Sequence, residues 1–158
     1  MSARVAQINL SPGGVPKLPV ARAHVGFGGV VGDAQSDLRL HGGPDRAVCL
    51  WSLDVIALLR EEGHPVSAGS TGENLTLAGL DWARVTPGVR LQVGANVLLE
   101  ITDYATPCRT IRHCFLKRRY GRISHKKYPA HSRVYARVLR AGELVVDDPV
   151  VLGVSAPA

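Results

Sequence analysis

The chain has 158 residues, 46% of them hydrophobic, with a formal net charge of +6 at neutral pH. That length suits one domain with a sizeable core and leaves little room for a second, and no apolar run approaches the roughly 20 residues that a membrane-spanning helix needs. Three cysteines, Cys49, Cys108 and Cys114, are too few and too widely spaced for a disulfide framework or a zinc-binding CxxC pair; they fit a reducing compartment, so the cytoplasm is the expected location.

In chain order, Arg4 to Leu10 sets Ala6, Ile8 and Leu10 against Val5, Gln7 and Asn9, the alternation of a strand with one apolar face. Arg4 is followed by no continuous apolar stretch ahead of the turn Ser11-Pro12-Gly13-Gly14-Val15-Pro16-Lys17, so no secretory leader is expected. That turn and a second one, His41-Gly42-Gly43-Pro44-Asp45-Arg46, carry paired glycines that permit positive φ. Successive backbone N–H groups can then face one concavity and hold an anion. Neither is a P-loop, because GxxxxGK[ST] is absent. The run Ala47 to Trp51 reads as a strand, with Cys49 inside it as a core residue. Leu53 to Glu62 reads as a helix, with Ser52 as its cap, Leu53, Ile56 and Leu59 on one face and Gly63 at its end.

Beyond the helix, Glu73 to Leu77, Val89 to Val93, Val97 to Thr102, Arg133 to Leu139, Leu144 to Val146 and Val150 to Leu152 are β-like runs parted by Gly, Pro, Asp and Asn. Many short, evenly spaced strands imply a barrel or a sandwich, a mainly β fold with a few helices. Glu73 and Asn74 sit at the mouth of one strand, where a carboxylate beside a carboxamide can read the edge of a heterocycle. A second, weaker helix is expected from Cys108 through Ile111 and Phe115.

Charge is unevenly spread. Eleven of the 19 Lys and Arg residues lie between Tyr104 and Gly142, a segment holding none of the 13 acidic residues. Such a field attracts an anion, while a mobile, solvated basic loop over Lys117 to Pro129 is the plainer reading. Nucleic acid is not the expected partner: aromatic residues are 5% of the chain and form no stacking pattern. At the head of this segment Tyr104-Ala105-Thr106-Pro107-Cys108 places a thiol where a strand ends, with Arg109 and Arg112 close by. A thiol among cations is favoured as the thiolate, which bonds metals or carries sulfur.

These pieces together resemble the MOSC domain, the family named for the C-terminal domain of molybdenum cofactor sulfurase. The resemblance rests on Ser11 to Lys17, Gly32-Asp33, His41 to Val48, Gly72-Glu73-Asn74-Leu75-Thr76 with Gly79-Leu80, Gly88 with Leu91 and Gly94, and Pro107-Cys108. It covers residues 4–153, within one domain spanning 1–158. It implies a β-barrel-like single domain that takes a molybdenum cofactor, an anionic pterin bearing the metal, with Cys108 as metal ligand or sulfur carrier. Lys17, His41, Gly42, Gly43, Asp45, Arg46, Glu73, Asn74, Arg109 and Arg112 are then the expected cofactor-binding residues. Relatives often carry an arginine shortly before the Pro-Cys pair, which this chain lacks; Arg109 or Arg112 is expected to stand in. The activity so implied is reduction of N-hydroxylated compounds with electrons from a separate reductase. The alternatives are a sulfur carrier loaded by a cysteine desulfurase through a Cys108 persulfide, and a non-catalytic cofactor-binding protein.

Overall fold

The computed structural model of the chain describes residues 2–34 and 43–155. Its strands are β1 (Arg4–Leu10), β2 (Leu18–Val20), β3 (Arg22–Gly26), β4 (Gly29–Val30), β5 (Val48–Ser52), β6 (Leu75–Ala78), β7 (Arg90–Val93), β8 (Val97–Tyr104), β9 (Val134–Arg140), β10 (Gly142–Val145) and β11 (Val150–Leu152). One α-helix, α1 (Leu53–Glu61), carries the chain between β5 and β6, and these two strands pair in parallel with Leu50 opposite Leu75. Such a pairing cannot be made by a hairpin and needs a crossover, here the helix. Ser52 begins it as expected: its Oγ accepts the Val55 N–H at 3.1 Å, while Val55, Ile56 and Leu59 are buried.

Eight strands form one sheet in the order β11-β7-β8-β9-β5-β6-β1-β2, and β10-β3-β4 form a second. The large sheet ends on β11 and β2, yet the chain entering β11 returns to β1. Val5 N–H donates to Asp148 O at 2.9 Å, Asp147 N–H to Val5 O at 2.8 Å and Val150 N–H to Ala3 O at 3.0 Å. The sheet therefore curls on itself, barrel-like, around fully buried Ile8, Leu50, Trp51, Leu75, Leu91 and Leu99. Burying each such side chain is worth about 1.5–3 kcal/mol against leaving it in water.

Three features depart from the sequence expectation. In β1 the simple alternation is broken by a register shift against β6 between Val5 and Gln7, so Val5 and Ile8 are both buried and Asn9 is too. The strands β2, β3 and β4 carry no clear sequence signal, because Pro19 and the Gly26-Phe27-Gly28-Gly29 turn leave only short runs between breakers. The expected second helix is a 3-10 helix at Arg109–Cys114, the first of a series continued by Leu116–Arg118, Tyr120–Ile123 and Pro129–His131. This basic segment is no free loop. Ile111, Cys114, Phe115 and Ile123 bury into the core, and Arg122 forks onto Glu62 with both N···O distances at 2.9 Å, holding that carboxyl below its ordinary pKa.

Candidate functional site

Two tryptophans fix the approach to the site. Trp51 Nε1 donates to His131 O at 2.9 Å and Trp82 Nε1 to Ser132 O at 2.7 Å, pinning the two residues that lead into β9. The next residue, Arg133, is thereby fixed at the mouth of the sheet. From there β9 runs between β8 and β5, with Cys49 opposite Tyr135 and Tyr104 opposite Val134. Ala105 N–H continues the β8 side by donating to Arg133 O at 3.0 Å. Three residues on, Cys108 is delivered to the same mouth.

Here a cavity of about 220 Å³ opens, lined by Gly14, Val15 and Lys17 from the first glycine turn, Cys49 from β5, Thr71-Gly72 ahead of β6, and Cys108, Arg133 and Tyr135. A second, outer cavity of about 170 Å³ lies between Arg46, Tyr104 and Pro107 and shares Cys108 and Tyr135 with the first. Cys108 thus stands where the two meet. Half-buried, its Sγ lies 2.7 Å from Thr110 Oγ1. The other thiols differ. Burial pushes Cys49 up to about 11, and Cys114 is buried and raised for the same reason, so neither offers a thiolate near neutral pH. Burial likewise raises the Tyr135 phenol, with Cys49 adding to it, so it stays protonated.

Among the expected cofactor contacts, Lys17 does line the inner cavity, but its Nζ sits 2.6 Å from Asp33 Oδ2 with both side chains buried. Its charge is already answered. Glu73 and Asn74 are fully buried and belong to the scaffold beneath the cavity: Asn74 Oδ1 accepts the Cys49 N–H at 3.1 Å and its Nδ2 donates to Asp33 Oδ2 at 2.9 Å. The Glu73 carboxyl receives the Gly69 N–H and the Thr76 hydroxyl, each at 3.0 Å, while burial outweighs these bonds and the Arg133 charge and raises its pKa. Both residues face inward, where a ligand edge does not reach them.

Arg46 borders the outer cavity and lies over the Tyr135 ring, 5.3 Å from its centroid. Gly43 adopts φ 80° and opens the short 3-10 turn Pro44–Arg46, in which Asp45 is exposed and pairs with Arg137 at 3.3 Å. His41 and Gly42 lie outside the described residues. Arg109 is exposed, and Arg112 Nη1 donates to Arg109 O at 2.8 Å; neither lines either cavity. The further cation that lines the inner cavity is Arg133, which the sequence marks only as one of eleven in the acid-free segment. Its Nη1 donates to Thr71 O at 2.8 Å, its Nε has no partner among the described residues, and it is 6% exposed. The unusual position, one residue before a strand and between two pinned carbonyls and the sheet, is legible only in three dimensions.

Among the described residues no three His, Cys, Asp or Glu side chains gather to hold a metal. A metal bound through Cys108 would take its other ligands from the group that carries it, and a lone soft thiol beside an underbonded guanidinium fits an anionic group of that kind. No helix among the described residues is long and apolar enough to cross a membrane.

Comparison with known proteins agrees with this picture. The MOSC domain model matches residues 37–151. The uncharacterized protein YflK of Bacillus subtilis strain 168 is 32% identical over 115 residues, 72% of this chain and 50% of that protein. Protein YiiM of Escherichia coli K12 is 30% identical over 95 residues, 55% of this chain and 40% of that one, so the chain spans half or less of these two relatives. The crystal structure of YiiM from Geobacillus stearothermophilus superposes with a TM-score of 0.69 at 25% identity, covering 95% of this chain and 74% of that one.

Proposed function

The chain belongs to the MOSC domain family, and on that premise we propose that it binds a molybdenum-bearing pterin cofactor through the Cys108 thiolate and reduces N-hydroxylated compounds. One observation supports the reading: the half-buried thiol borders both cavities, so a group held in the inner one and a substrate arriving in the outer one would both reach it. When bound, the cofactor would supply the two-electron chemistry. Cys108 would donate the soft ligand, with Thr110 Oγ1 hydrogen-bonding its sulfur. Arg133 would answer negative charge within the inner cavity, and the Gly14-Val15 turn with Thr71-Gly72 would shape its wall. On the outer side Arg46 and Tyr135 would orient the substrate. Electrons would come from a separate reductase, and the protein would work in the cytoplasm.

Cys108→Ser tests this directly. Protein purified from a host that makes the cofactor should contain molybdenum, and the variant should lose at least nine-tenths of it while keeping its fold, because a serine hydroxyl is a poor match for a soft centre. Full molybdenum content in the variant removes Cys108 as the ligand. The loaded parent, given a chemical reductant, should turn over an N-hydroxylated purine many times.

The accessibility of the same sulfur favours one second reading, transfer of a persulfide. There the metal-free chain, mixed with a cysteine desulfurase and cysteine, gains one sulfur atom on Cys108, visible by intact mass and released by a thiol reductant. Persulfide on Cys108 together with a loaded protein that fails to turn over selects the carrier.

A further inference from the structure

Arg133 presents an electrostatic problem that the protein's own side chains leave unsolved. Its guanidinium offers five N–H donors, of which those on Nη1 meet one acceptor, the Thr71 carbonyl at 2.8 Å. Nε is buried and unpartnered, and no carboxylate lies within 4.0 Å of the group among the described residues. Removing a cation from water without a counter-ion is strongly unfavourable. The Arg133 charge does act on the buried Glu73 carboxyl, but the two form no ion pair: the Glu73 oxygens meet Gly69, Thr71 and Thr76, and burial favours the neutral form. Lys17, the other cation on the wall, is already neutralised by Asp33.

We propose that the inner cavity is an oxyanion site anchored by Arg133, taking the phosphate or carboxylate group of a small ligand that reaches it past Cys108. A guanidinium fork matches either group, and the Thr71 bond holds the fork in place so that little freedom is lost on binding. This deepens the cofactor reading and rests on it for the cavity's use, but the anion chemistry is separately measurable. The same oxyanion could be carried by the cofactor or by a second small molecule.

Isothermal titration of the full chain with inorganic phosphate, and separately with benzoate, reads the site without turnover. One equivalent of either anion should bind. Arg133→Met should weaken binding at least tenfold, Arg133→Lys should fall between because it keeps the charge and loses the fork, and the exposed control Arg119→Met should match the parent. No binding of either anion by the parent, or parent-like binding by Arg133→Met, overturns the site. Should Arg133→Met fail to fold, phenylglyoxal modification of the parent decides: saturating phosphate should slow labelling of Arg133 at least fivefold, and equal rates overturn the site. Repeating the titration on cofactor-loaded protein assigns the source, since lost binding places the cofactor's phosphate on Arg133 and retained binding places a second molecule there. Molybdenum content, measured on the same samples, reports the cofactor reading on its own.

Discussion

Replacing Glu73 with glutamine asks whether the buried carboxyl serves as a neutral acid. Thr76 Oγ1 accepts from Asn9 Nδ2 at 3.1 Å, so its own proton goes to Glu73 Oε2 at 3.0 Å, and that oxygen also receives the Gly69 N–H at 3.0 Å. Oε1 meets Thr71 Oγ1 at 3.3 Å. A proton on Oε1 completes this set by donating to the threonine hydroxyl. In Glu73→Gln the amide nitrogen takes that place and the carbonyl keeps both of its donors, so at pH 5 the variant should lie within about 1 kcal/mol of the parent. Because burial raises the carboxyl in the folded state, the native chain holds this proton more tightly than the unfolded chain does. The group's contribution is therefore fully present below the ordinary carboxylate pKa and is lost as pH rises through the raised value, at up to about 1.4 kcal/mol per pH unit. Glutamine does not titrate, so stability of the variant relative to the parent should climb across that window. Glu73→Ala instead strands the Gly69 N–H and two hydroxyls, at about 1 kcal/mol or more each, a loss of about 3 kcal/mol. Urea unfolding followed by tryptophan fluorescence at pH 5, 7 and 9 measures all three chains. A glutamine variant as weak as the alanine one at every pH, or one that loses ground to the parent as pH rises, refutes the neutral-acid assignment.

Thiol chemistry should single out one cysteine: at pH 8 iodoacetamide should alkylate Cys108 at least tenfold faster than Cys49, whose pKa is pushed up to about 11, with peptide mapping as the readout and comparable labelling of Cys49 as the contrary result. Gly69→Ala should lower stability by at least about 2 kcal/mol in the same urea assay, since Gly69 has φ 82° and an added Cβ would collide with the Lys17 carbonyl; a neutral effect would mean that the loop under the cavity can shift. Trp82→Phe keeps the ring packed but leaves the Ser132 carbonyl without its indole donor, which predicts a loss of about 1–3 kcal/mol by thermal or urea unfolding. Stability equal to the parent's would show that this carbonyl needs no donor.

Local chemistry made parts of the fold readable in advance. The apolar run Ala47 to Trp51 marks β5, observed one residue later at Val48–Ser52, the Ser52 cap marks the start of α1, and the Pro107-Cys108 pair after a long strand marks the thiol. What could not be read was direction. Glu73 and Asn74 stand at the start of a strand as polar residues normally do at a surface, but the parallel pairing of β5 with β6 folds them beneath the cavity, where Asn9 and Asp33 bond their neighbourhood. Arg133 looks in sequence like Arg137 and Arg140, which are exposed on the strand that follows it; the two indole bonds just before it fix the backbone from which its side chain is buried. The bulge in β1 has the same character, because a shifted register is a property of the pair and not of either strand alone.

The cavity draws its wall from Gly14, Cys49, Thr71, Cys108 and Arg133, five stretches of chain that share no local element. Such a site has no nucleus of its own. Its pieces meet only after the long-range pairings of β1 with β6, β5 with β6 and β8 with β9 have formed, and topologies dominated by distant contacts fold in milliseconds to seconds where helical bundles need microseconds to milliseconds. During refolding, ligand competence should therefore trail the recovery of far-ultraviolet circular dichroism, and no excised half of the sequence should recover it. For a ribosome-bound chain this means that the thiol at Cys108 emerges before the strand that encloses it, and stays open to adventitious oxidants until β9 has left the exit tunnel.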